Sequence, residues 1–376
     1  MTRHVAFVWQ QFAPYHVDRL RAVAEALGAE WRVHGVEIAD RSDTYAWPPT
    51  PAGGGYVHRT LFPGQVGETT QARRRRRALW RAVGACDVVF LCNYERPGTL
   101  VLAWRLRLAG RRVILMFDST RMDKPRRRLR EAVKRLALSP YHGALVSGSA
   151  SAAYLTRLGL PAGTLARGYD TLDVARVRRE ADVAPAPDGP PFEARVFIIV
   201  ARLVARKDLA TAIAAYGRYA AAETEAGRPP RELWICGDGP LRRDLEERVA
   251  ALPAGCCRFL GFLAPAAVSR CLGHALALLL PSRSEPWGLA VNEALALGVP
   301  AIVSDRVGCA PDLIAAGQAG LIRPVGDVTA WAAALTYLAR DRDLWHRLAG
   351  NARQHGGAGD VQHFVTGVRS LLDRVA

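Results

Sequence analysis

Short apolar runs alternate with longer amphipathic segments along nearly the whole of this chain. A short apolar run bounded by turn residues predicts a buried strand, and apolar residues spaced three and four apart predict a helix. Regular alternation of the two favours parallel strands joined by helices, which is a doubly wound α/β sheet. In the first half of the chain the predicted strands lie at residues 4–9, 31–36, 87–92, 112–117 and 144–147, and the predicted helices include 14–27 and 98–108.

The length of 376 residues favours two such domains. Residues 183–191 are rich in proline and glycine, which interrupt regular structure, and they predict the linker. A second series of strands and helices runs from residue 196 to about residue 348, before a glycine-rich stretch at 350–359. We therefore expect an N-terminal domain at 1–185 and a C-terminal domain at 192–356, with a last helix inside 360–376 that packs back on the first domain.

Three features favour a cytoplasmic protein. The apolar run at the start of the chain is too short for a signal peptide and predicts a first strand. No apolar run reaches the ~20 residues that a membrane span needs. The seven cysteines are an odd number without paired metal-ligand spacing, so they indicate reduced and mostly buried thiols.

Two glutamates eight positions apart lie between a predicted strand and the next one. Glu285 follows the apolar run 275–280 and falls in a turn, whereas Glu293 falls inside the helix predicted at 288–297. Open α/β sheets bind ligands at the carboxyl ends of their strands, and the start of a helix offers free N–H groups to an anion. This arrangement suits a phosphate-bearing sugar, although a surface loop acid and a solvated helix acid would produce the same spacing.

The stretch 281–300 resembles the retaining, GT-B-fold glycosyltransferases of the large family four, in which two glutamates are separated by seven residues. The aromatic-glycine pair Trp287-Gly288 and the tail Glu-Ala-x-Ala-x-Gly-x-Pro agree with that family as well. The resemblance implies an α/β GT-B fold, with two Rossmann-like domains and a cleft between them. It also implies that Glu285 contacts the donor sugar and Glu293 the ribose. Backbone N–H groups would complete that pocket at Trp287, Gly288, Leu289 and Ala290.

A second match follows the predicted strand 196–200 and precedes a helix expected from about residue 207 to residue 219. Arg202 and Lys207 stand where the family has an Arg-Leu pair followed by a lysine, and there they grip the donor's diphosphate. A leaving nucleoside diphosphate gains negative charge as the sugar bond breaks, so two cations would stabilise it. Lysine is rare in this arginine-rich chain, at only three positions, which favours a specific role for Lys207 over a merely basic helix start.

Two weaker matches lie between these anchors. Gly237 and Gly239 belong to a Gly-x-Gly-Pro turn after a predicted strand, and in the family this turn lies beside the nucleotide. Phe262 ends a short segment, 259–262, that fits the family's base-contacting backbone. Any tight strand-to-helix turn uses glycines, so neither match identifies the base.

The first domain offers two candidate residues for a site. His16 ends the first strand-to-helix loop and either faces a ligand or packs at the helix start. Asp118 ends the predicted strand 112–117 and either binds a substrate hydroxyl or caps the following helix. Residues 93–96 end another strand and are a further candidate, whereas Asp170 resembles a structural aspartate of the family.

The formal net charge is +16, and residues 73–77 are five consecutive arginines. Residues 101–140 hold twelve basic and three acidic side chains. An exposed basic arm suits an anionic membrane surface, an acidic glycan or nucleic acid, although a generally basic composition gives the same pattern. No nucleic-acid module is present in the sequence pattern, and Leu79, Trp80 and Trp104 near the arginines favour a membrane.

The sequence therefore predicts a retaining glycosyltransferase that moves a sugar from a nucleoside-diphosphate sugar to a hydroxyl of a glycan or lipid-linked acceptor. No cofactor and no metal are expected, because the basic pair and the helix start would take the metal's role. The chain shows no obvious nucleophile, which favours attack on the same face as the leaving phosphate. Two alternatives remain: another GT-B enzyme such as a nucleotide-sugar epimerase, and a non-catalytic basic protein that binds lipid or nucleic acid.

Overall fold

The structure is a computed structural model that describes residues 2–42, 47, 49, 54–92, 94–123, 128–253 and 255–375. It divides the chain into two compact units. Unit 1 contains Met1–Asp173 and Val361–Ala376, and unit 2 contains Val174–Asp360. The division therefore comes earlier in the chain than the expected boundary at 185–192, and the proline-rich stretch 183–191 lies within unit 2.

Each unit contains one sheet, and all the pairings between neighbouring strands that the structure describes are parallel. In unit 1 the strands are β1 Arg3–Trp9, β2 Trp31–Arg41, β3 Val57–Val66, β4 Val88–Leu91, β5 Arg112–Phe117, β6 Gly143–Val146 and β7 Leu165–Arg167. In unit 2 they are β8 Val196–Val200, β9 Leu233–Cys236, β10 Cys257–Gly261, β11 Ala275–Leu280, β12 Ala301–Ser304 and β13 Gly320–Arg323. The sheets have the orders β3-β2-β1-β4-β5-β6-β7 and β10-β9-β8-β11-β12-β13. Each order reverses once, between β1 and β4 and between β8 and β11.

Helices connect these strands. The first five are α1 Pro14–Leu27, α2 Ala72–Val83, α3 Pro97–Leu108, α4 Arg128–Leu138 and α5 Ser149–Arg157. Unit 2 holds α6 Val174–Ala181, α7 Leu209–Glu225, α8 Arg242–Ala250, α9 Pro265–Gly273, α10 Leu289–Ala296, α11 Val328–Arg340 and α12 Arg342–His355, and the last helix is α13 Val361–Val375. The predicted α/β class with two doubly wound parallel sheets is thus confirmed.

Two strands of unit 1 were not predicted. β3 is an edge strand whose side chains are mostly half-buried or exposed, so it lacks the continuous apolar run that signals a central strand. β7 has only three residues and lies at the other edge. The sequence signal was strong only where a strand is buried on both faces.

The two faces of the unit 1 sheet bury separate sets of side chains, as the alternation of strand residues requires. Ala6 and Val8 of β1 pack on one face with α2 and α3, and Val5 and Phe7 pack on the other. Helix α13 lies on this second face beside α1, where it buries Phe364 and Val368. The last helix of the chain therefore completes the core of unit 1.

A buried ion pair holds the segment after β7. Arg19 of α1 has no exposed surface, and its Nη2 lies 3.4 Å from Oδ1 of Asp170. Its Nε donates to the Thr171 carbonyl at 3.0 Å, and Ser147 donates to the other oxygen of Asp170 at 2.6 Å. Asp170 thus makes structural contacts in unit 1.

Across the described ranges, no helix combines the length and the apolar character needed to cross a bilayer.

Gly168 tests the docking of α13. Its φ is +109°, a region that L side chains rarely adopt, and an added Cβ would collide with the His363 carbonyl of α13. We expect Gly168→Ala to lower the free energy of unfolding by at least ~1–3 kcal/mol, which is the typical cost of such backbone strain. Thermal or urea unfolding measures this change.

Gly163→Ala is the matched control, because a Cβ added there would have no atom within 4 Å and its φ is not positive. It should leave unfolding unchanged within ~0.5 kcal/mol. Equal behaviour of the two variants would show that α13 does not depend on a close approach at Gly168.

Candidate functional site

The two loops at the reversal point of the unit 2 sheet bring Lys207 and Glu285 into contact. Lys207 follows β8 and Glu285 follows β11, and these strands are neighbours at that point. The Lys207 ammonium forms an ion pair with Oε2 of Glu285. The side chains are only 12% and 10% exposed, so both charges are largely removed from water. Open α/β sheets bind ligands at this position, outside the carboxyl ends of the strands.

The loop that carries Glu285 is braced by the segment after β12. Glu285 forms an isolated parallel bridge with Val307, and its carbonyl accepts the Gly308 N–H at 2.9 Å. A Cβ at Gly308 would collide with the Pro286 carbonyl, so only glycine permits this approach. The Ser282 hydroxyl also donates to Oε2 of Glu285 at 3.2 Å. The carboxylate is therefore fixed from both its backbone and its side chain.

Helix α10 begins directly after this loop. Gly288 has a φ of +109°, so the helix starts at Leu289, one residue later than predicted. Trp287 is buried, and its Nε1 donates to Oδ1 of Asn292 at 3.0 Å. Within the described part of the chain, the N–H groups of Gly288, Leu289 and Ala290 have no hydrogen-bond acceptor. They are available to an anion at the helix start.

Lys207 lies in a short 3-10 turn, Ala205–Lys207, rather than in the helix predicted from about residue 207. Asp208 has a φ of +50°, and α7 begins only at Leu209. The Asp208 carboxylate accepts the Thr211 hydroxyl at 2.9 Å and forms an ion pair with Arg283 at 3.0 Å. This pair links the loops after β8 and β11 a second time.

The predicted glycine turn lies against the loop that carries Arg202. A Cβ at Gly237 would collide with the Ala201 carbonyl, and one at Gly239 would lie 2.6 Å from the Leu203 carbonyl. The Leu203 N–H donates to the Asp238 carbonyl at 2.9 Å. Arg202 is partly buried between these contacts, and Phe262, after β10, is 45% exposed.

Glu293 is the fifth residue of α10 and is partly buried. It makes no hydrogen bond or ion pair with any residue that the structure describes. Burial raises its pKa to about 7; the Arg176 guanidinium opposes this rise and the Glu180 carboxylate adds to it. Glu293 forms no hydrogen bond or ion pair with Lys207 or Glu285, so the structure gives the two predicted glutamates different partners.

His16 lies in unit 1, where it both packs at a helix start and borders a cavity. Its Nδ1 accepts the Ala13 N–H at 3.0 Å, and its ring stacks on Trp9 at a centroid distance of 4.6 Å. Burial and the Arg19 charge lower its pKa well below the ordinary value. The ring is therefore neutral, with its proton on Nε2.

Asp118 borders the same cavity, which has a volume of about 280 Å³. It follows β5, and α4 begins well after it at Arg128, so Asp118 does not cap that helix. Burial, followed by the charge of Asp170, raises its pKa to about 7. The cavity lies at the carboxyl ends of β1, β4 and β5, the reversal point of this sheet. Of the candidate stretch 93–96, Tyr94, Glu95 and Arg96 border it, and Asn93 lies outside the described residues.

The structure therefore brings Lys207, Glu285 and Gly288 together in unit 2, and His16 and Asp118 together in unit 1. Sequence reasoning missed Ser282, Asp208 and the segment 305–309. Gly308 was the available signal, since a lone glycine after a strand indicates a close backbone approach.

The raised pKa of Glu293 predicts a pH-dependent stability. Between about pH 4.5 and pH 7 the unfolded chain releases this proton and the folded chain keeps it, so folding stability falls as pH rises through that window. Glu293→Gln removes this loss. As the pH is raised from 5 to 8, the melting temperature of the variant should increase relative to that of wild type.

Glu225→Gln serves as the control, because Glu225 is exposed at the end of α7. Its melting temperature should follow wild type at every pH. If the wild-type and Glu293→Gln curves run parallel, Glu293 ionises normally in the folded protein.

Residues 184–355 match the family described as glycosyl transferases group 1. A phosphatidyl-myo-inositol mannosyltransferase from Mycolicibacterium smegmatis is 28% identical over 335 residues, which are 88% of this chain and 81% of that relative. A 2-deoxystreptamine N-acetyl-D-glucosaminyltransferase from Niallia circulans is 38% identical over 96 residues, or 25% of this chain. That match spans only 24% of the relative's own length.

The fold is also similar to that of a known structure. Anabaena Alr3699/HepE in complex with UDP and glucose superposes with a TM-score of 0.71 and 15% identity, over 99% of this chain and 100% of the other. At that identity the likeness concerns the fold alone. The chain therefore has the GT-B fold, and residues 184–355, in the unit that carries both glutamates, are similar to the group 1 glycosyl transferases.

Proposed function

We propose that this protein is a retaining glycosyltransferase that transfers a sugar from a nucleoside-diphosphate sugar to an acceptor hydroxyl. The observation that carries the proposal is the Lys207–Glu285 ion pair at the reversal point of the unit 2 sheet, beside a helix start whose N–H groups have no acceptor among the described residues. A cation and N–H groups suit a diphosphate, and a fixed carboxylate suits sugar hydroxyls. The site thus offers complementary groups to both halves of such a donor.

The chemistry asks these groups to stabilise a leaving diphosphate. As the bond between the sugar and the diphosphate breaks, negative charge grows on the phosphate oxygens, and Lys207, Arg202 and the helix start would donate hydrogen bonds to them. The ion pair with Glu285 holds the Lys207 ammonium in place before the donor binds. Glu293, held partly protonated at neutral pH, would donate or accept a hydrogen bond at the ribose.

The relatives support this assignment and suggest the acceptor. The mannosyltransferase from Mycolicibacterium smegmatis is named for a phosphatidyl-myo-inositol acceptor, and the Anabaena protein binds UDP and glucose. We infer a glycan or lipid-linked acceptor, a metal-independent reaction and attack on the same face as the leaving phosphate. An anionic membrane would then be the surface from which a lipid-linked acceptor is taken.

A surface of unit 1 fits such a membrane. Helix α4 exposes Leu129, Val133 and Leu136, at 79%, 59% and 70%, and their spacing places them on one face of the helix. Exposed large apolar side chains also lie on α3, at Val101, Trp104 and Leu108. Arg130 and Arg135 are exposed on α4 beside its apolar residues. We call the exposed apolar residues of α3 and α4 the apolar surface of unit 1.

This surface differs in part from the predicted one. Leu79 is buried in the core, and Trp80 is partly buried, with the Arg105 guanidinium 4.3 Å from its ring centroid. Leu79 is therefore not available to a membrane and Trp80 is only partly available, because the apolar face of α2 packs inward. The arginines at 73–77 form the first part of α2, and Arg75 and Arg76 are only partly exposed. Residues 124–127, within the basic stretch 101–140, lie outside the described residues. The apolar surface of unit 1 is therefore the inserting element of the proposal, and the arginines attract anionic lipid.

A thermal-shift panel of UDP, GDP, ADP, CMP and dTDP tests the donor assignment. One nucleoside diphosphate, at a hundred times its dissociation constant, should raise the free energy of unfolding by about 2.7 kcal/mol. Lys207→Gln removes a charge-assisted contact worth about 1.5–3 kcal/mol. The affinity of this variant for the nucleoside diphosphate should therefore fall roughly tenfold to a hundredfold. Glutamine keeps a donor for Glu285, which limits the cost to folding.

Lys134→Gln is the matched control, since Lys134 lies in unit 1 and bonds Tyr154 and Glu131. It should bind the diphosphate as wild type does. No response of wild type to any of the five nucleotides would refute the donor assignment.

Vesicle sedimentation tests the membrane contact. A variant in which serine replaces Leu129, Val133 and Leu136 should bind anionic vesicles at least tenfold more weakly. Each of these side chains contributes about 1.5–3 kcal/mol when it is buried in the membrane. Nucleotide binding should persist, since these residues lie in the other unit.

Tyr337→Ser is the control, because Tyr337 is a 52% exposed aromatic residue of unit 2. This variant should sediment with anionic vesicles as wild type does. Rising salt should release the wild-type protein, because the attraction of the arginines is screened. If wild type binds anionic and neutral vesicles equally, the basic residues do not act on a membrane.

A further inference from the structure

The cavity of unit 1 borders two carboxylates that lack a cationic partner. Asp118 lies at the end of β5 and Glu95 in the loop after β4, and both border the cavity. Neither forms an ion pair with any residue in the described ranges. Arg96 also borders the cavity, and it donates to Oε1 of Gln10 at 3.0 Å. In a chain with 51 basic residues, this arrangement leaves the negative charge for a cation from outside.

A buried amide adds a third acceptor. Gln11 is 6% exposed and borders the cavity. Its Nε2 donates to the Asp40 carbonyl at 3.0 Å and to the Trp47 carbonyl at 3.3 Å, so the orientation of the amide is fixed. Its Oε1 is buried without a partner among the described residues. An unpaired buried acceptor costs free energy unless a ligand donates to it.

Aromatic rings form the walls. Trp9, Tyr94, Phe117 and Tyr169 border the cavity and are nearly buried. The Trp9 N–H donates to the Tyr169 hydroxyl at 3.0 Å, so these two polar groups satisfy each other. Aromatic faces attract both the C–H face of a sugar-like ring and a cation. With a volume of about 280 Å³, the cavity is at the small end of ligand pockets and suits a single ring.

We propose that this cavity binds the acceptor as one polyol ring that carries a primary ammonium group, such as an amino sugar or an aminocyclitol, with the ammonium between Asp118 and Glu95. This inference rests on the proposed glycosyl transfer and names the class of its acceptor. The reaction site would be a hydroxyl of that ring, and the ammonium would orient it.

The chemistry of the two partners is complementary. An ammonium group has three hydrogen-bond donors and no acceptor, and the cavity offers two carboxylates and an amide oxygen. Burial and the Asp170 charge raise the pKa of Asp118, and an ammonium group beside this carboxyl would stabilise its charged form. A phosphate or carboxylate on the same ring would instead meet two like charges. His16 is neutral and therefore adds no positive charge to the cavity.

Calorimetry with three ring probes tests the inference: glucosamine, glucose and N-acetylglucosamine. We expect the protein to bind glucosamine at least tenfold more tightly than either of the others, since glucose lacks the amine and acetylation removes its charge. Asp118→Asn should bring the glucosamine-to-glucose ratio close to one, and Glu95→Gln should reduce it. Glu95 is exposed, so its variant remains informative if Asp118→Asn fails to fold.

Glu25→Gln removes the same charge from an exposed position of α1 outside the cavity, and it should keep the wild-type ratio. Equal binding of the three probes, or binding of none, overturns the inference. Nucleoside-diphosphate binding is measured on the same samples. If the diphosphate binds without an amine preference, the acceptor class is wrong and the donor assignment stands. If no diphosphate binds, the proposed function itself fails.

Discussion

The parallel pairing of β8 with β11 is the contact on which the candidate donor site depends. The chain makes β9 and β10 on one side of β8, then returns to place β11 on the other side. The loops after β8 and β11 therefore leave the sheet in opposite directions and open a crevice between them. Lys207 comes from one loop and Glu285 from the other. Two further contacts, Asp208 with Arg283 and the Arg206 carbonyl with the Arg283 N–H, hold the same loops together.

Each unit also contains a largely buried ion pair. Removing one partner of such a pair typically costs about 3–5 kcal/mol, because it leaves a charge without water or a counter-charge. Arg19 and Asp170 fix the segment after β7 in unit 1, where the Thr171 carbonyl accepts from Arg19 and the Ser147 hydroxyl donates to Asp170. Lys207 and Glu285 are less enclosed, and the N–H groups beside them are unpaired within the described residues. The first pair is therefore structural, whereas the second leaves capacity for a ligand.

The two sheets have the same order over six strands but present opposite charges at their carboxyl ends. Unit 2 presents Lys207, Arg202 and a helix start, which suit an anion. Unit 1 presents Asp118, Glu95 and the buried oxygen of Gln11, which suit a donor-rich or cationic ring. The net charge of +16 does not predict this difference, because most arginines lie on the surface and a site is determined by a few local groups.

Local sequence patterns were sufficient to predict the α/β class, most strands, the last helix and the positions of both glutamates relative to a strand and a helix. Burial on both faces of a strand produces apolar runs, and glycine ends helices, so these features can be read from neighbouring residues. The same patterns did not predict the edge strands β3 and β7, which lack a continuous apolar run. They also missed the exact start of α7, which Asp208 delays through a left-handed backbone.

Only the folded structure showed which side chains contact each other. Lys207 and Glu285 are 78 residues apart in the chain, and their contact requires the reversal of strand order that no local pattern reports. The bracing of Glu285 by Val307 and Gly308, and the shared cavity of His16 and Asp118, depend on long-range pairing of the same kind. Sequence patterns record the burial of each residue, whereas partners and charge balance are set by the folding of distant segments into one place.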